Sequence, residues 1–222
     1  MTERRGAIVV LSKVPRVGGV KTRLAARLGD LQACRLYEAF LADTFTRASR
    51  VARHVGARLV FAHGDPALDR SGVGDWLPTD AETFPQRGAD LGARMDAAIR
   101  DAGGERVVLI GGDSPSMRDE RLLQAFAACD RGEVALGPVE DGGYNLIGVP
   151  TPVSELFREV AWSTPSVFAT TMRRAQDAGL PVHVLDVAYD VDRPEDLDRL
   201  VEDPALAGAP RTSERLTALR WA

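Results

Sequence analysis

Four loops of this 222-residue chain combine acids, cations and glycines in patterns suited to chemistry. Each loop follows a short apolar run that predicts a β-strand, and these runs end at Ser12, Ile110, Gly137 and Asp186. The carboxyl ends of parallel strands share one edge of a sheet, and open α/β sheets bind their ligands at that edge. We therefore expect the four loops to form one site.

The first loop is rich in cations and glycines and joins a strand to a helix. Backbone N–H groups in such a loop, and the start of the following helix, favour phosphate. Three cations there would neutralise a diphosphate. The spacing differs from that of a P-loop, and a surface turn with solvated basic residues is the alternative. The candidate nucleotide-binding residues are Lys13, Gly18, Gly19, Lys21, Thr22 and Arg23.

The second and fourth loops carry the candidate metal ligands and the first candidate catalytic acid. Asp113 follows two glycines, of which we place Gly112 with the nucleotide-binding residues. A carboxylate at a strand end can hold Mg²⁺ or Mn²⁺ against phosphate oxygens, or it can cap the next helix. Alternation places Asp190 and Asp192 on the same side of an extended chain. Asp192 is either a second metal ligand or the N-cap of a helix that has Pro194 near its start.

The third loop begins at Asp141, the second candidate catalytic residue and a possible general base. Asp-Gly is also a common hairpin signal, and a turn can present both an acid and glycine amides to a ligand. An aromatic residue further on, Trp162, either forms the floor of an acceptor pocket or belongs to the core. The candidate residues for binding the acceptor or sugar are Gly142, Gly143, Tyr144 and Trp162.

Composition excludes several classes of function. The net charge is -4 and the pI is near 5.5, and no basic stripe is present, so a nucleic-acid partner is not expected. Cys34 and Cys129 lie outside any CxxC motif and are expected to be reduced thiols. The G-x-S-x-G motif of a hydrolase is absent. No apolar run reaches membrane length, so we expect a cytoplasmic protein without a membrane partner.

Strands that alternate with helices predict βαβ units and a mostly parallel α/β sheet. We expect one domain over residues 1–222, with a core at about 7–202 and a tail at 203–222. The first strand should be Ala7–Ser12, and a helix should cover Leu31–Arg50. The Gly- and Pro-rich stretch 64–85 should hold an edge strand around Asp75–Leu77.

Six segments together resemble a bacterial family with the GT-A fold: KVPRVGGVKTRLA, QRGADLGARM, LIGGDSP, LGPVEDGGYNLIGV, WST and YDVDRPEDL. This is the small glycosyltransferase-like family associated with radical-SAM/selenodomain proteins or arsenosugar biosynthesis. It belongs to the nucleotide-diphosphosugar transferase superfamily, which also contains phospholactate guanylyltransferases. The resemblance implies a Rossmann-like three-layer sandwich. It also implies that Asp113 and Asp192 bind the metal and that Lys21 and Arg23 contact nucleotide phosphates.

The preferred reaction is glycosyl transfer from a nucleotide sugar to a small acceptor, with Asp141 as general base. The usual Asp-x-Asp motif of glycosyltransferases is absent, because Gly111 stands two residues before Asp113. The alternative is nucleotidyl transfer, in which a phosphorylated small molecule attacks the α-phosphate of a nucleoside triphosphate and releases pyrophosphate. A non-catalytic nucleotide-binding protein is the third hypothesis.

Overall fold

A computed structural model describes residues 6–65, 67–68, 73–103 and 105–221. The apolar runs seen in the sequence form most of its strands. Their bounds are β1 Ala7–Ser12, β2 Arg58–His63, β3 Glu82–Pro85, β4 Val107–Ile110, β5 Val134–Pro138, β6 Tyr144–Val149 and β7 Val182–Val184. The strands join in one seven-stranded sheet with the order β3-β2-β1-β4-β6-β5-β7.

The sheet is mostly parallel, and only β6 runs against its two neighbours. β1 lies beside β2 on one side and β4 on the other, with Val9 aligned to both Val60 and Leu109. The chain winds from β1 toward β3 and then returns to place β4 on the opposite side of β1. Such a reversal opens a crevice at the carboxyl ends of the two strands. The predicted α/β fold class is confirmed.

Helices cover both faces of the sheet and make three layers. Within β1, Ile8 and Val10 enter one core while Ala7 and Val9 enter the other. Burial on both faces explains why this strand is apolar throughout. One face carries α1 Thr22–Leu28, α2 Asp30–Val55, α4 Asp119–Asp130, α6 Pro194–Glu202 and α7 Pro210–Ala218, and the other carries α3 Leu91–Asp101, α5 Val167–Asp177 and the 3₁₀ helix Ser154–Phe157.

The expected edge strand around Asp75–Leu77 is wrong, because that segment forms a turn and the edge strand is β3. Trp76 is buried by ring packing, with its centroid 5.9 Å from that of Phe45 and 5.4 Å from that of Phe61. Its burial therefore comes from aromatic contacts and needs no strand partner. Residues 66 and 69–72 of the same stretch lie outside the described part of the chain.

The tail packs on the rest of the chain through its last helix. Leu216 of α7 is fully buried in the core shared with α2. The buried Asp43 of α2 accepts hydrogen bonds from the backbone N–H groups of Arg211 (3.2 Å) and Thr212 (2.7 Å) at the start of α7. A carboxylate at that position satisfies donors that have no partner within the helix.

Cys34 and Cys129 are both buried and free, in line with the expected reduced thiols. In the part of the chain that the structure describes, no helix has the length and apolar character needed to cross a bilayer. The longest helix, α2, carries charged residues along its length.

Candidate active site

The loop between β1 and α1 holds one lysine in a fixed, inward position. Lys21 adopts a left-handed conformation (φ 47°, ψ 42°) at the N-cap of α1. Its neighbour Val20 and the helix residue Leu24 are both buried and anchor the end of the loop. Earlier in the loop, the Gly19 N–H donates to the Arg16 carbonyl oxygen at 2.9 Å and closes a turn. The Lys21 side chain is only 4% exposed as a result of this placement.

Three oxygens from two other loops converge on the Lys21 ammonium. Nζ lies 2.5 Å from a carboxylate oxygen of Asp113 and 2.8 Å from one of Asp192. It also donates to the Val191 carbonyl oxygen at 2.7 Å. The two carboxylates remain 44% and 49% exposed. The loops after β1, β4 and β7 therefore meet at one charged point, at the sheet edge where the sequence placed them.

The electrostatics keep Lys21 charged. Burial lowers the pKa of its ammonium, but the carboxylates of Asp113 and Asp192 offset this effect and leave the pKa above its ordinary value. The rings of Tyr37 and Phe40 lie beside Nζ, with centroids 5.6 Å and 5.8 Å away, and their faces favour a cation. Burial and the nearby Asp113 also raise the pKa of the Tyr37 phenol, so that side chain stays neutral.

Asp113 owes its position to the glycine before it. A Cβ on Gly112 would lie 2.5 Å from a side-chain carbon of Leu41 and 3.3 Å from the Cβ of Ser12. Only glycine lets the chain turn this close to α2 and β1. The Asp113 carbonyl oxygen then accepts a hydrogen bond from the Val191 N–H at 2.9 Å. This backbone bond ties the loop after β4 to the segment that carries Asp192.

A buried network of hydrogen bonds lies next to Asp113 and Asp192 along the chain. Asp190 accepts hydrogen bonds from the Ser114 hydroxyl and, at 3.4 Å, from the amide of Asn145, which also donates to the Ser114 hydroxyl at 2.9 Å. Burial raises the pKa of Asp190 to about 6, with Asp113 adding to the effect. Asp190 and Asp192 thus serve different partners. Sequence reasoning missed Asn145, although it is the single amide in an otherwise apolar strand, YNLIGV.

The Lys21 cavity has a volume of about 410 Å³ and opens at the ends of β1 and β4. It brings four of the predicted nucleotide-binding residues together with both predicted metal ligands. The other three predicted residues, Gly18, Gly19 and Gly112, are not among the lining residues of this cavity. The cavity is lined by Leu11, Ser12, Lys13, Val20, Lys21, Thr22, Arg23, Tyr37, Gln86, Leu91, Arg94, Asp113 and Asp192.

Gln86 and Arg94 line this cavity, and sequence reasoning gave neither of them a role. The Gln86 amide donates to the carbonyl oxygens of Ser12 (3.0 Å) and Ala62 (2.9 Å), which fixes it against the ends of β1 and β2. The Arg94 guanidinium donates to the Gly88 carbonyl oxygen at 3.2 Å. Both residues fall in the segment QRGADLGARM, whose match to a known family was the available signal.

The Asp141 cavity adjoins the Lys21 cavity and has a volume of about 300 Å³. Asp141 is exposed, and its carboxylate accepts a hydrogen bond from the Gly143 N–H at 2.9 Å, as expected for a turn. Arg23 and Asp192 line both cavities, so the two spaces share one wall. The lining consists of Arg23, Val139, Glu140, Asp141, Tyr189, Asp190, Asp192, Arg193, Asp196 and Arg199.

The predicted acceptor residues lie on the other side of the Asp141 turn. The rings of Tyr144 and Trp162 pack edge to face with centroids 6.5 Å apart, and Trp162 covers Gly92 at the start of α3. Gly142 (φ 86°) lies so close to Pro165 that a Cβ would meet its carbonyl oxygen at 2.2 Å. Within the described ranges, neither of these rings and neither glycine lines the two cavities. Their role with an acceptor stays a prediction.

The donor atoms around Lys21 fit a hard divalent cation. Mg²⁺ and Mn²⁺ prefer oxygen ligands and take one or two carboxylates together with water and substrate phosphates. Asp113, Asp192 and the Val191 carbonyl oxygen supply such a set, with the ammonium as a stand-in cation. Over the residues that the structure describes, no group of three or more Asp, Glu, His or Cys side chains forms a complete metal cage. A metal ion here would need phosphate or water to complete its coordination.

Comparison with known proteins identifies the family. Residues 44–164, more than half of the chain, match a family described as an uncharacterized protein conserved in bacteria (DUF2064). The chain belongs to this family. The 2-phospho-L-lactate guanylyltransferase of Halorubrum lacusprofundi is 32% identical over 159 residues, which cover 69% of this chain and 71% of that relative. The phosphoenolpyruvate guanylyltransferase of Conexibacter woesei is 32% identical over 202 residues, 85% of each chain.

A solved structure extends the similarity to the whole fold. The Desulfovibrio desulfuricans protein, assigned provisionally as a nucleotide-diphospho-sugar transferase, is 30% identical with a TM-score of 0.85 and 96% coverage of both chains. These relatives confirm the predicted nucleotide-diphosphosugar transferase superfamily and the prediction that this DUF2064 chain is a transferase. The association with radical-SAM, selenodomain or arsenosugar proteins stays a prediction.

Proposed function

We propose that the chain is a divalent-metal-dependent nucleotidyltransferase that joins a nucleotide to a small phosphorylated acid. The observation that carries this proposal is the convergence of Asp113 and Asp192 on Lys21 at the mouth of a cavity lined by further cations. A nucleoside triphosphate brings several negative charges into such a space. The named relatives, which act on phosphoenolpyruvate and 2-phospho-L-lactate, support guanine as the base and a phosphorylated carboxylic acid as the acceptor.

The residues of the Lys21 cavity would bind and orient the donor. Lys13, Lys21 and Arg23 would pair with its phosphate oxygens, and charge-assisted contacts of this kind are strong and directional. Asp113 and Asp192 would hold Mg²⁺ or Mn²⁺, which when bound neutralises charge on the phosphates and on the leaving pyrophosphate. Gln86 and Arg94 would contact the part of the donor that lies toward β2 and α3.

The acceptor would enter through the Asp141 cavity, which shares Arg23 and Asp192 with the donor side. An oxygen of its phosphate forms a new bond to the α-phosphorus, the bond from that phosphorus to the bridging oxygen breaks, and pyrophosphate leaves with the electron pair. The attacking phosphate is already an anion near neutral pH. The reaction therefore needs positioned cations more than a general base.

Glycosyl transfer, the reaction preferred from the sequence, is the second candidate. Two observations favour it: the similarity to the Desulfovibrio desulfuricans protein and the exposed Asp141 in a cavity that Asp192 also lines. In this reaction an acceptor hydroxyl attacks the sugar carbon, the bond from that carbon to the diphosphate breaks, and a nucleoside diphosphate leaves. Asp141 would accept the hydroxyl proton.

Product analysis separates the two reactions. The purified chain is incubated with Mg²⁺ or Mn²⁺ and either nucleoside triphosphates with phosphorylated acids or nucleotide sugars with hydroxyl acceptors. We expect pyrophosphate from the first mixture, with GTP as the preferred donor. Release of nucleoside diphosphate from the second mixture, without pyrophosphate from the first, would contradict the proposal. Asp141→Asn should then abolish turnover, whereas nucleotidyl transfer should tolerate this change.

A further inference from the structure

Lysine is rare in this chain and is confined to the candidate site. Of the 28 basic residues, only Lys13 and Lys21 are lysines, and all the others are arginines. A guanidinium is a broad planar fork, whereas an ammonium is a compact point charge. At the buried position 21 the chain thus has a compact ammonium, which is closer in shape to a small cation than a guanidinium is.

The surroundings of Lys21 are those of a small cation. Its Nζ has three oxygen neighbours from two loops within 2.8 Å, namely Asp113, Asp192 and the Val191 carbonyl group. The pair of carboxylates carries a charge of -2, of which the ammonium neutralises half. A divalent ion bound to the same oxygens would neutralise all of it, but it would need the space that Nζ fills and would be repelled by the ammonium charge.

We infer that Lys21 competes with the divalent metal for one position, so that metal and donor enter the site together. In the nucleotide-free protein Lys21 fills the position between Asp113 and Asp192. Donor phosphates give the ammonium new partners, and the flexible stem of the side chain lets Nζ move toward them while the backbone stays fixed at the start of α1. The inference depends on the proposed function for the identity of the donor, and its tests do not use turnover.

Mn²⁺ titration of the nucleotide-free protein, followed by electron paramagnetic resonance of the free ion, tests the competition. We expect Lys21→Met to bind Mn²⁺ at least about tenfold more tightly than the wild type. An ammonium that fills the metal position in about nine tenths of the wild-type molecules lowers the apparent Mn²⁺ affinity by that factor. Arg27→Met, which removes an exposed cation of α1 that lines neither cavity, should leave the Mn²⁺ affinity unchanged. Equal or weaker Mn²⁺ binding by Lys21→Met than by the wild type would overturn the inference.

Methionine is a reasonable replacement because its side chain would lie beside the rings of Tyr37 and Phe40. Thermal unfolding checks that the variant is folded. If it is not, amine labelling of the wild type decides the question, since Lys13 and Lys21 are the only side-chain amines. Acetic anhydride should label the exposed Lys13 quickly and Lys21, whose side chain is 4% exposed, slowly.

At an Mn²⁺ concentration that saturates the wild type, Lys21 labelling relative to Lys13 should rise severalfold, and added GTP should suppress it again. Labelling of Lys21 that stays slow in saturating Mn²⁺ would show that the two cations do not exclude each other. Both experiments read binding or accessibility. A chain without pyrophosphate release would therefore contradict the proposed function and leave this inference standing. Conversely, Mn²⁺ binding that is unaffected by Lys21 would contradict this inference and leave the proposed function standing.

Discussion

Replacing the buried Asp190 by asparagine should stabilise the metal-free protein at pH 8. The carboxylate accepts hydrogen bonds from Ser114 and Asn145, and burial raises its pKa from 3.8 to about 6. The folded chain therefore holds the Asp190 proton more tightly than the unfolded chain does. The stability that this group contributes is complete below pH 3.8 and is lost as the pH rises through about 6. Asparagine keeps the shape of the side chain and cannot ionise.

The size of the effect follows from the two pKa values. The whole difference corresponds to about 3 kcal/mol, of which about 2 kcal/mol is lost between pH 4.5 and pH 8. Asp190→Asn should escape this loss. The stability of the variant relative to the wild type should therefore improve by about 2 kcal/mol over that interval, or about 4–8 °C in Tm for a chain of this size.

Urea unfolding of both proteins at pH 4.5 and pH 8, followed by tryptophan fluorescence, gives the free energies of unfolding. The comparison uses the difference between variant and wild type at each pH, because the other acids titrate equally in both proteins. A surface change such as Thr217→Ala should give the same offset at both pH values. The reasoning would be refuted if the difference in stability between Asp190→Asn and the wild type were the same at pH 4.5 and pH 8, since the pKa of Asp190 would then not differ between the folded and the unfolded chain.

Three further predictions concern the Lys21 cavity. Asp113→Ala should abolish turnover with circular dichroism unchanged, since its carboxylate is 44% exposed and the fold does not depend on it; full activity of the variant, or of the wild type in excess EDTA, would contradict a metal role. Arg23→Ala should weaken nucleotide binding by about tenfold or more in calorimetry, whereas Arg27→Ala on the same helix should not. Gly112→Ala should lower the free energy of unfolding by about 1–3 kcal/mol, because its Cβ would meet Leu41 at 2.5 Å; an unchanged Tm would show that α2 can move aside.

Local sequence patterns predicted most elements of the fold. β1 was predicted with its observed bounds, Ala7–Ser12, because burial on both faces leaves an uninterrupted apolar run between polar ends. A helix with Pro194 near its start was also predicted and is observed, since proline favours the first turn. The edge strand was misplaced because Trp76 and Leu77 are buried by tertiary packing and not by pairing in the sheet. The description of residues 1–222 as one domain stays a prediction.

The candidate site was predictable to the level of loops but not of contacts. Polar residues after buried strands indicated the sheet edge, and three of the four loops meet at Lys21. The contact of Lys21 with Asp192 spans 171 positions of the chain, and no local pattern encodes such a pairing. The same limit applies to Gln86, whose amide reaches Ser12 across 74 positions. The sequence assigned Asp113 and Asp192 to one metal ion through the family resemblance, and the fold shows that the Lys21 ammonium lies between them.

The arrangement of the two cavities explains why sequence reasoning about the reaction remained divided. Glycosyl and nucleotidyl transfer both release a phosphate-bearing group, so both need the charge neutralisation that the Lys21 cavity offers. The difference lies on the acceptor side, where a hydroxyl nucleophile needs a base and a phosphate nucleophile does not. Asp141 is one of the exposed acids on that side, and its carboxylate already accepts a hydrogen bond from the Gly143 N–H within its own turn. A carboxylate so engaged in its own turn suits a structural role as well as a catalytic one, and this favours the reaction that needs no base.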